Sequence, residues 1–359
     1  MSEIVLSGYY GFGNAGDEAM LLSILEAIER ERPGSSVTVI SGRPEDTEKK
    51  YQVKAIHRFD YIGMIGVLKK ADLLLSGGGS LLQDVTSHRS IFYYLSIIKL
   101  AQWMKVPTML YAQGIGPVVR PTARKALSRV VNQVDLITVR DEKSKAELIE
   151  LGIDKPPIHV TADPVLSLKP ESGEYGEVLL EKIGYRKGKK LIGFAIREWP
   201  LVPEYLDEIA KAADLLLADE DLQVVFLPMQ WPEDGEVARK VQEKMTHEAL
   251  FLEGEYRVRE HLSVIAQLDF LVGVRLHGLI FAFLSGTPCV GLSYDPKINS
   301  FLELIGETSI ASLENLCCEE LVQTVFTKLD EPQNCREKRR EELCLASERN
   351  SSLMASLLK

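Results

Sequence analysis

The chain is poor in positive charge: 42 Lys and Arg stand against 52 Asp and Glu, a formal net charge of −10. That balance excludes a general nucleic-acid surface, which needs clustered cations to displace counterions. Cysteine is sparse and unpatterned, with five residues, no C-x-x-C pair, and four of them after position 316 (Cys317, Cys318, Cys335, Cys344). Neither a disulfide framework nor a zinc motif is present. His57, His88, His159, His247 and His261 show no metal-ligand spacing, so no metal is expected. Apolar runs are all broken by Gly, Pro or charge well short of a bilayer span. Met1 to Leu6 enter a strand-like segment without the basic and apolar regions of a signal peptide. Internal repeats and low-complexity segments are also missing. These absences read as a cytoplasmic protein in a reducing compartment.

What is there is an α/β pattern. A length of 359 residues with 45% hydrophobic content is too much for one ordinary core and suggests two domains. Strand-like runs at Ile4 to Ser7, Val37 to Ser41, Leu73 to Ser76, Thr108 to Tyr111, Leu136 to Val139 and Ile158 to Val160 alternate with helical patterns. One such pattern is Asp17 to Arg30, where Leu21, Ile24, Leu25 and Ile28 recur at helical spacing. A polar stretch, Lys169 to Lys190, separates these from a second series at Leu191 to Ile196, Val224 to Leu227, Phe270 to Gly273 and Cys289 to Leu292. The expectation is two Rossmann-like domains with parallel sheets, residues 1–166 and 187–330, facing a cleft, followed by a charged C-terminal helix in residues 331–359.

Ligands of open α/β sheets bind outside the carboxyl ends of strands. The first such end, Gly8 to Asp17, contains a formal G-x-G-x-x-G from Gly11 to Gly16. The second strand, however, ends Ile40-Ser41-Gly42-Arg43, without the acid that would hold a ribose hydroxyl, which weighs against a nicotinamide cofactor. Two readings stand side by side: a loop bringing backbone N–H groups to a ligand with Asn14 and Asp17 as polar contacts, or a tight turn with Asp17 as a helix cap. Ser76-Gly77-Gly78-Gly79-Ser80 is the next glycine-rich end, and Gly-Lys-Ser/Thr of a Walker loop does not follow it. In Tyr111 to Pro117, Gln113 either bonds sugar hydroxyls or ties the loop to its neighbours.

The cations at strand ends carry the chemistry. Arg140 follows Leu136 to Val139 and precedes Asp141, a candidate cap for a helix beginning at Glu142, with a surface ion pair as the plainer alternative. Arg197 ends the strand Ile192 to Ile196, while Arg275, Leu276 and His277 follow Phe270 to Gly273, and Lys297 lies beyond Cys289 to Leu292. An imidazole among cations at a strand end reads as a working group, since perturbed ionisable residues cluster at such sites.

The ordered set Gly8 to Glu18, Ser76 to Ser80, Gln113 to Pro117, Val139-Arg140-Asp141, Asp163-Pro164 and Arg275-Leu276-His277-Gly278 resembles the polysaccharide pyruvyl transferases, most closely the CsaB type linked to anchoring of bacterial cell-surface proteins. The resemblance runs from about residue 4 to 310 and is weak after Leu313. It implies a GT-B-like fold, phosphoenolpyruvate as donor with no separate cofactor, and a pyruvate ketal formed on a sugar. For the CsaB type it implies an N-acetylmannosamine-containing, lipid-linked precursor of a secondary cell-wall polymer. The acceptor would then sit on the N-terminal side and the donor on the C-terminal side. Arg140, Arg275 and Lys297 are the candidates to grip the donor's two anionic groups. His277 is the candidate general acid, and Asp17 or Asp84 the candidate base. Asn14, Asp17, Gly78, Gly79, Gln113, Arg197 and Leu276 complete the expected substrate contacts.

A lipid-linked acceptor implies peripheral contact with the cytoplasmic membrane. Ile91 to Met104, with Phe92, Tyr93, Tyr94 and Trp103, reads either as an interfacial helix or, being apolar on nearly every side, as a core helix. The rival functions are a nucleotide-sugar glycosyltransferase on the same fold, with Glu303 and the glycine loops holding the nucleotide, and a non-catalytic sugar-phosphate binding protein.

Overall fold

The computed structural model describes residues 2–85, 87–169, 171–307, 309–329 and 334–358, the backbone alone at 334–336. Cys335 thus lies outside the described side chains. Contacts divide the chain into two units: Met1–Phe12, Asp17–Leu168 and Glu342–Lys359 form the first, Gly13–Gly16 and Lys169–Glu341 the second.

The first unit is built on an eight-stranded parallel sheet of β1 (Glu3–Ser7), β2 (Ser36–Ser41), β3 (Lys54–His57), β4 (Leu73–Ser76), β5 (Gly79–Leu82), β6 (Thr108–Ile115), β7 (Leu136–Val139) and β8 (Ile158–Val160). The order is β3-β2-β1-β4-β6-β7-β8, with β5 beside β6. Strands β4 and β7 are buried at every position, which is why they read as unbroken apolar runs: a parallel strand is covered on both faces. Two strands escape that reading. Lys54-Ala55-Ile56-His57 is a half-exposed edge strand with polar ends, and β5 begins inside a glycine loop. Near the end of β6, Ala112 takes a φ of +47° and the ladder to β7 shifts between Leu110 and Gln113, a bulge that re-aims the residues after it.

The helix Ser90–Trp103 buries Ile91, Tyr94, Leu95, Ile97, Ile98 and Ala101 and exposes Phe92 and Trp103; it is a core helix. Among the described residues no helix is long and apolar enough to cross a membrane. The C-terminal helix Asn334–Ala355 ends on the first unit's sheet, where Met354 and Leu358 join the core of Leu21, Ile28 and Tyr111. Fully buried Asn350 accepts from Thr161 Oγ1 at 2.7 Å and donates to the Ala162 carbonyl at 3.1 Å, and Ser347 Oγ donates to the Asp163 carbonyl at 2.9 Å.

The second unit carries a five-stranded parallel sheet of β9 (Lys190–Ala195), β10 (Leu222–Phe226), β11 (Leu250–Phe251), β12 (Phe270–Gly273) and β13 (Cys289–Gly291), in the order β11-β10-β9-β12-β13. Phe194, Phe226 and Phe270 centre its core. The stretch read as polar between the two series is partly structured. Its helix Glu174–Lys182 buries Gly176, Leu179 and Leu180, and the Gly176 N–H donates to Ser263 Oγ at 2.7 Å.

Each sheet reverses its strand order once, between β1 and β4 in the first unit and between β9 and β12 in the second. At such points the following loops diverge and leave a crevice at the carboxyl edge.

Replacing Asn350 with Leu removes the partner of the Ala162 carbonyl and of Thr161, and should cost the protein about 2 kcal/mol, read as a lower urea midpoint; an unchanged midpoint would show that the helix is held by its apolar residues alone. In the second unit, burial lowers the pKa of His261 from 6.5 to about 4. The unfolded chain therefore binds the extra proton first, so stability contributed by the neutral ring is lost as the pH falls from about 6.5 towards 4, by about 3 kcal/mol in total. His261→Phe should flatten that acid limb of the stability profile; an identical limb in the variant would assign it to other groups.

Candidate functional site

In the first unit the glycine-rich strand ends turn out to make room for the protein's own side chains. A Cβ on Gly8 or Gly77 would run into the buried Tyr10 side chain, and one on Gly78 would meet Met20 Sδ at 2.7 Å. Gly79, at φ +93°, places its backbone beside Asp17: an added Cβ would lie 3.4 Å from Asp17 Oδ1. The Gly11 N–H donates to Glu18 Oε1 at 2.8 Å, and Arg43 Nε donates to the Gly11 carbonyl at 3.0 Å. A carboxylate thus stands against the loop where a dinucleotide fold would offer N–H groups to a pyrophosphate.

Gln113 is fully buried and its Nε2 donates to Ser76 Oγ at 2.8 Å, to the Ser76 carbonyl at 3.1 Å and to the Gly77 carbonyl at 3.3 Å. It ties the β4 and β6 loops together. Asp84, also buried, accepts from the Val119 and Arg120 N–H groups, both at 2.8 Å. Its two oxygens staple a loop, which counts against Asp84 as a base.

Arg140 is 8% exposed and not a surface residue. Its Nη1 lies 3.5 Å from Asp163 Oδ2, its Nε 3.6 Å from Asp141 Oδ2, and its Nη2 donates to Ser80 Oγ at 3.3 Å. The guanidinium lies on the backbone of Gly114, where a Cβ would come within 2.6 Å of Nη2. Asp141 caps the helix Glu142–Glu150 through the Ser144 N–H at 2.7 Å.

In the second unit, Arg275 leaves the end of β12 and forms a two-point pair with Asp234. Nε donates to Oδ2 at 2.9 Å and Nη2 to Oδ1, while Nη2 also reaches Gln230 Oε1 at 3.3 Å. Asp234 is itself fixed by the Met229 and Gln230 N–H groups, at 3.1 and 3.0 Å. Gly13–Gly16 belongs to this unit: Ala15 N–H donates to the Met229 carbonyl at 2.7 Å, and Asn14 Nδ2 donates to Gln230 Oε1 at 3.3 Å. Asn14, and not Asp17 as in the second of the two readings, caps the helix Ala15–Glu31, its Oδ1 accepting from the Gly16 N–H at 3.0 Å. The imidazole of His277 packs directly on Gly16, so that a Cβ there would fall inside the ring. Asn14, Gly16, Gln230, Asp234, Arg275 and His277 therefore form one cluster, and Leu276, between Arg275 and His277 in the chain, is buried. Asp234 and Gln230 carry no local sequence signal; they lie about 40 residues before Arg275 and only the fold joins them.

Arg197 and Lys297 converge on Tyr294. Arg197 Nη1 donates to the Tyr294 hydroxyl at 2.9 Å, and Lys297 Nζ lies 5.8 Å from the ring centroid and 3.2 Å from Asp295 Oδ2. Elsewhere in this unit Glu208, Cys318 and Glu319 bring their ligand atoms within 4.8 Å of one another. Burial pushes the Cys318 thiol up to about 12.

Comparison with known proteins gives both fold and family. Among solved structures, the chain is similar to a UDP-GlcNAc 2-epimerase from Methanocaldococcus jannaschii (TM-score 0.68, 13% identity, 99% of each chain covered). It is also similar to S. aureus MnaA solved with UDP (0.66, 15%, 97% of this chain and 94% of that one) and to Anabaena HepE in complex with UDP and glucose (0.65, 12%, 100% and 99%). At these identities the likeness establishes the GT-B-like fold. No curated protein sequence matches the chain significantly. The profile of the polysaccharide pyruvyl transferases matches residues 14–296, a span that takes in Asn14, Arg140, Asp163, Asp234, Arg275 and His277, and the chain is a member of that family of transferases.

Proposed function

We propose that the protein transfers pyruvate from phosphoenolpyruvate to a saccharide as a ketal and releases phosphate. The observation that supports it most is the end of β12, where Arg275, oriented by Asp234, stands two residues from His277, whose ring is seated on Gly16. Phosphoenolpyruvate carries a phosphate and a carboxylate. Guanidinium groups suit both, because each offers two parallel N–H donors; Arg140, Arg275 and Lys297 are our candidates. An imidazole titrates near neutral pH and so suits a proton donor.

In this reading His277 delivers a proton to the methylene carbon, leaving C2 electrophilic. A sugar hydroxyl adds to C2 and gives its proton to a base, for which Asp17 is our candidate. The C2–O bond to phosphate then breaks with its electron pair going to phosphate. The second hydroxyl adds to C2, its proton leaves with phosphate or solvent, and the ketal ring closes. The acceptor we propose is an N-acetylmannosamine residue of a lipid-linked cell-wall polymer precursor, as in the CsaB type, which would bring a cytoplasmic enzyme to the membrane surface. That HepE, on the same fold, was solved with UDP and glucose supports saccharide handling here. The same UDP complexes favour nucleotide-sugar transfer as the second reading.

The deciding experiment incubates purified protein with phosphoenolpyruvate and a tagged N-acetylmannosamine disaccharide, following acceptor mass and phosphate. One ketal-linked pyruvate per phosphate released is the expected result; release of nucleoside diphosphate from a nucleotide sugar, with no pyruvylation, would replace it by glycosyl transfer. His277→Ala should lower kcat by about 100-fold or more while still binding phosphoenolpyruvate in a calorimetric titration, and a variant within a few-fold of the parent would remove His277 as proton donor. Gly16→Ala pushes a methyl group into the imidazole position and should lower kcat by about tenfold or more without lowering the thermal midpoint comparably; equal rates would mean that the ring's seat is of no catalytic account.

A further inference from the structure

Within the second unit lies a cavity of about 260 Å³ lined by Trp199, Val202, Tyr294, Asp295, Asn299 and Glu314, among others. It opens beside the candidate site: Trp199 follows β9 and Tyr294 follows β13, and these two strands flank β12, which delivers Arg275 and His277. The chemistry of its walls differs from that of the neighbouring cluster. Arg197 donates to the Tyr294 hydroxyl and Lys297 pairs with Asp295, and neither lines the cavity. What lines it is two carboxylates, an amide, hydroxyls and two aromatic rings. Carboxylates oppose a phosphate or a pyruvate carboxylate, whereas they and the amide accept hydrogen bonds from hydroxyl groups. Asn299 lines the cavity, and its Oδ1 is buried without a hydrogen-bond partner in the protein; rotation of the side chain would offer that unsatisfied acceptor to a ligand donor.

The rings decide between a sugar and a flat base. Trp199 and Tyr294 pack on each other with centroids 4.5 Å apart and planes at 46°. They leave no slot between them for a planar ring; the Arg197 guanidinium lies over both rings, 6.0 and 5.4 Å from their centroids, and the surface they present to the cavity is an apolar wall. Such a wall suits the C–H face of a pyranose, with its hydroxyls turned to Asp295, Asn299 and Glu314. The wall is braced, since Leu313 N–H donates to the Ser293 carbonyl at 3.0 Å and Ser293 N–H to the Ala311 carbonyl at 3.1 Å. The volume falls below the about 300–1,000 Å³ of sites for drug-sized ligands, which fits one ring and not an extended oligosaccharide.

We infer that this cavity is a saccharide subsite that holds one neutral sugar ring of the acceptor, which moves that ring from the N-terminal side, where the resemblance puts it, to the sheet edge of the second unit that carries the proposed catalytic cluster. That the ring belongs to an acceptor rests on the pyruvyl-transfer reading; that the cavity takes a neutral sugar does not.

The test is a binding measurement that needs no turnover. The chain has three tryptophans, Trp103, Trp199 and Trp231, so their indole N–H signals can be followed by NMR in the full-length protein and the Trp199 signal assigned with Trp199→Phe. Methyl glycosides of glucose, N-acetylglucosamine and N-acetylmannosamine are titrated, with uridine and phosphoenolpyruvate as controls. A saturable shift of the Trp199 signal with at least one glycoside is expected, weakened tenfold or more in Asn299→Leu, with the Trp103 and Trp231 signals unmoved as a check on folding. No response of Trp199 to any glycoside, a response to uridine alone, or undiminished binding by Asn299→Leu would each overturn the inference. Pyruvylation with a silent Trp199 would sink the subsite and leave the transferase reading standing. A responding Trp199 without pyruvylation would do the reverse.

Discussion

A guanidinium taken out of water must be met by a carboxylate, and each unit of this protein places one such pair at the carboxyl edge of its sheet. Asp163 faces Arg140 and Asp234 faces Arg275, and both acids are almost wholly buried. Removing one member of such a pair leaves an uncompensated buried charge, typically at a cost of about 3–5 kcal/mol. The acids hold more than their partners. Asp234 accepts from two N–H groups of the loop after β10, and Asp163 accepts from Val165 N–H while its carbonyl takes a hydrogen bond from Ser347 of the C-terminal helix. The ion pairs therefore fix the loops, and the loops fix the site.

The glycines serve the same end by a different route. Gly114 lets Arg140 lie flat on the backbone and Gly16 gives the imidazole of His277 its seat. A methyl group at either place would need the space the functional side chain occupies. Backbone approach is thus spent on the protein's own residues, and the loops are shaped before any ligand arrives.

Much of this was legible in the order of residues. Parallel strands covered on both faces appear as apolar runs, so β4, β7 and β12 were readable, and the breaks after them pointed to Arg140, Arg275 and His277. The pattern was silent where burial is partial or short: the edge strand β3, the two residues of β11, and β5 within a glycine loop. It was equally silent about Asp234 and Gln230, because what pairs them with Arg275 is the neighbourhood of β10, β9 and β12 in the sheet and not any spacing along the chain. Arg140 shows a subtler limit. Its neighbour Asp141 suggested a surface pair, whereas the nearly buried Asp163, 23 residues on and just past the next strand, is what allows the guanidinium to be inside.

The neutralisation of these arginines also bears on how a ligand arrives. An unpaired cation projects a field that draws anions from a distance and speeds their encounter, an effect that fades as salt is added. Here Arg140 and Arg275 are each closely balanced by an aspartate, in a chain whose net charge is −10. An anion therefore gains nothing from long-range attraction and meets the repulsion of the chain's net charge; it is recognised only on contact, by the geometry of donors already held in place, and its association rate should rise as salt screens that repulsion.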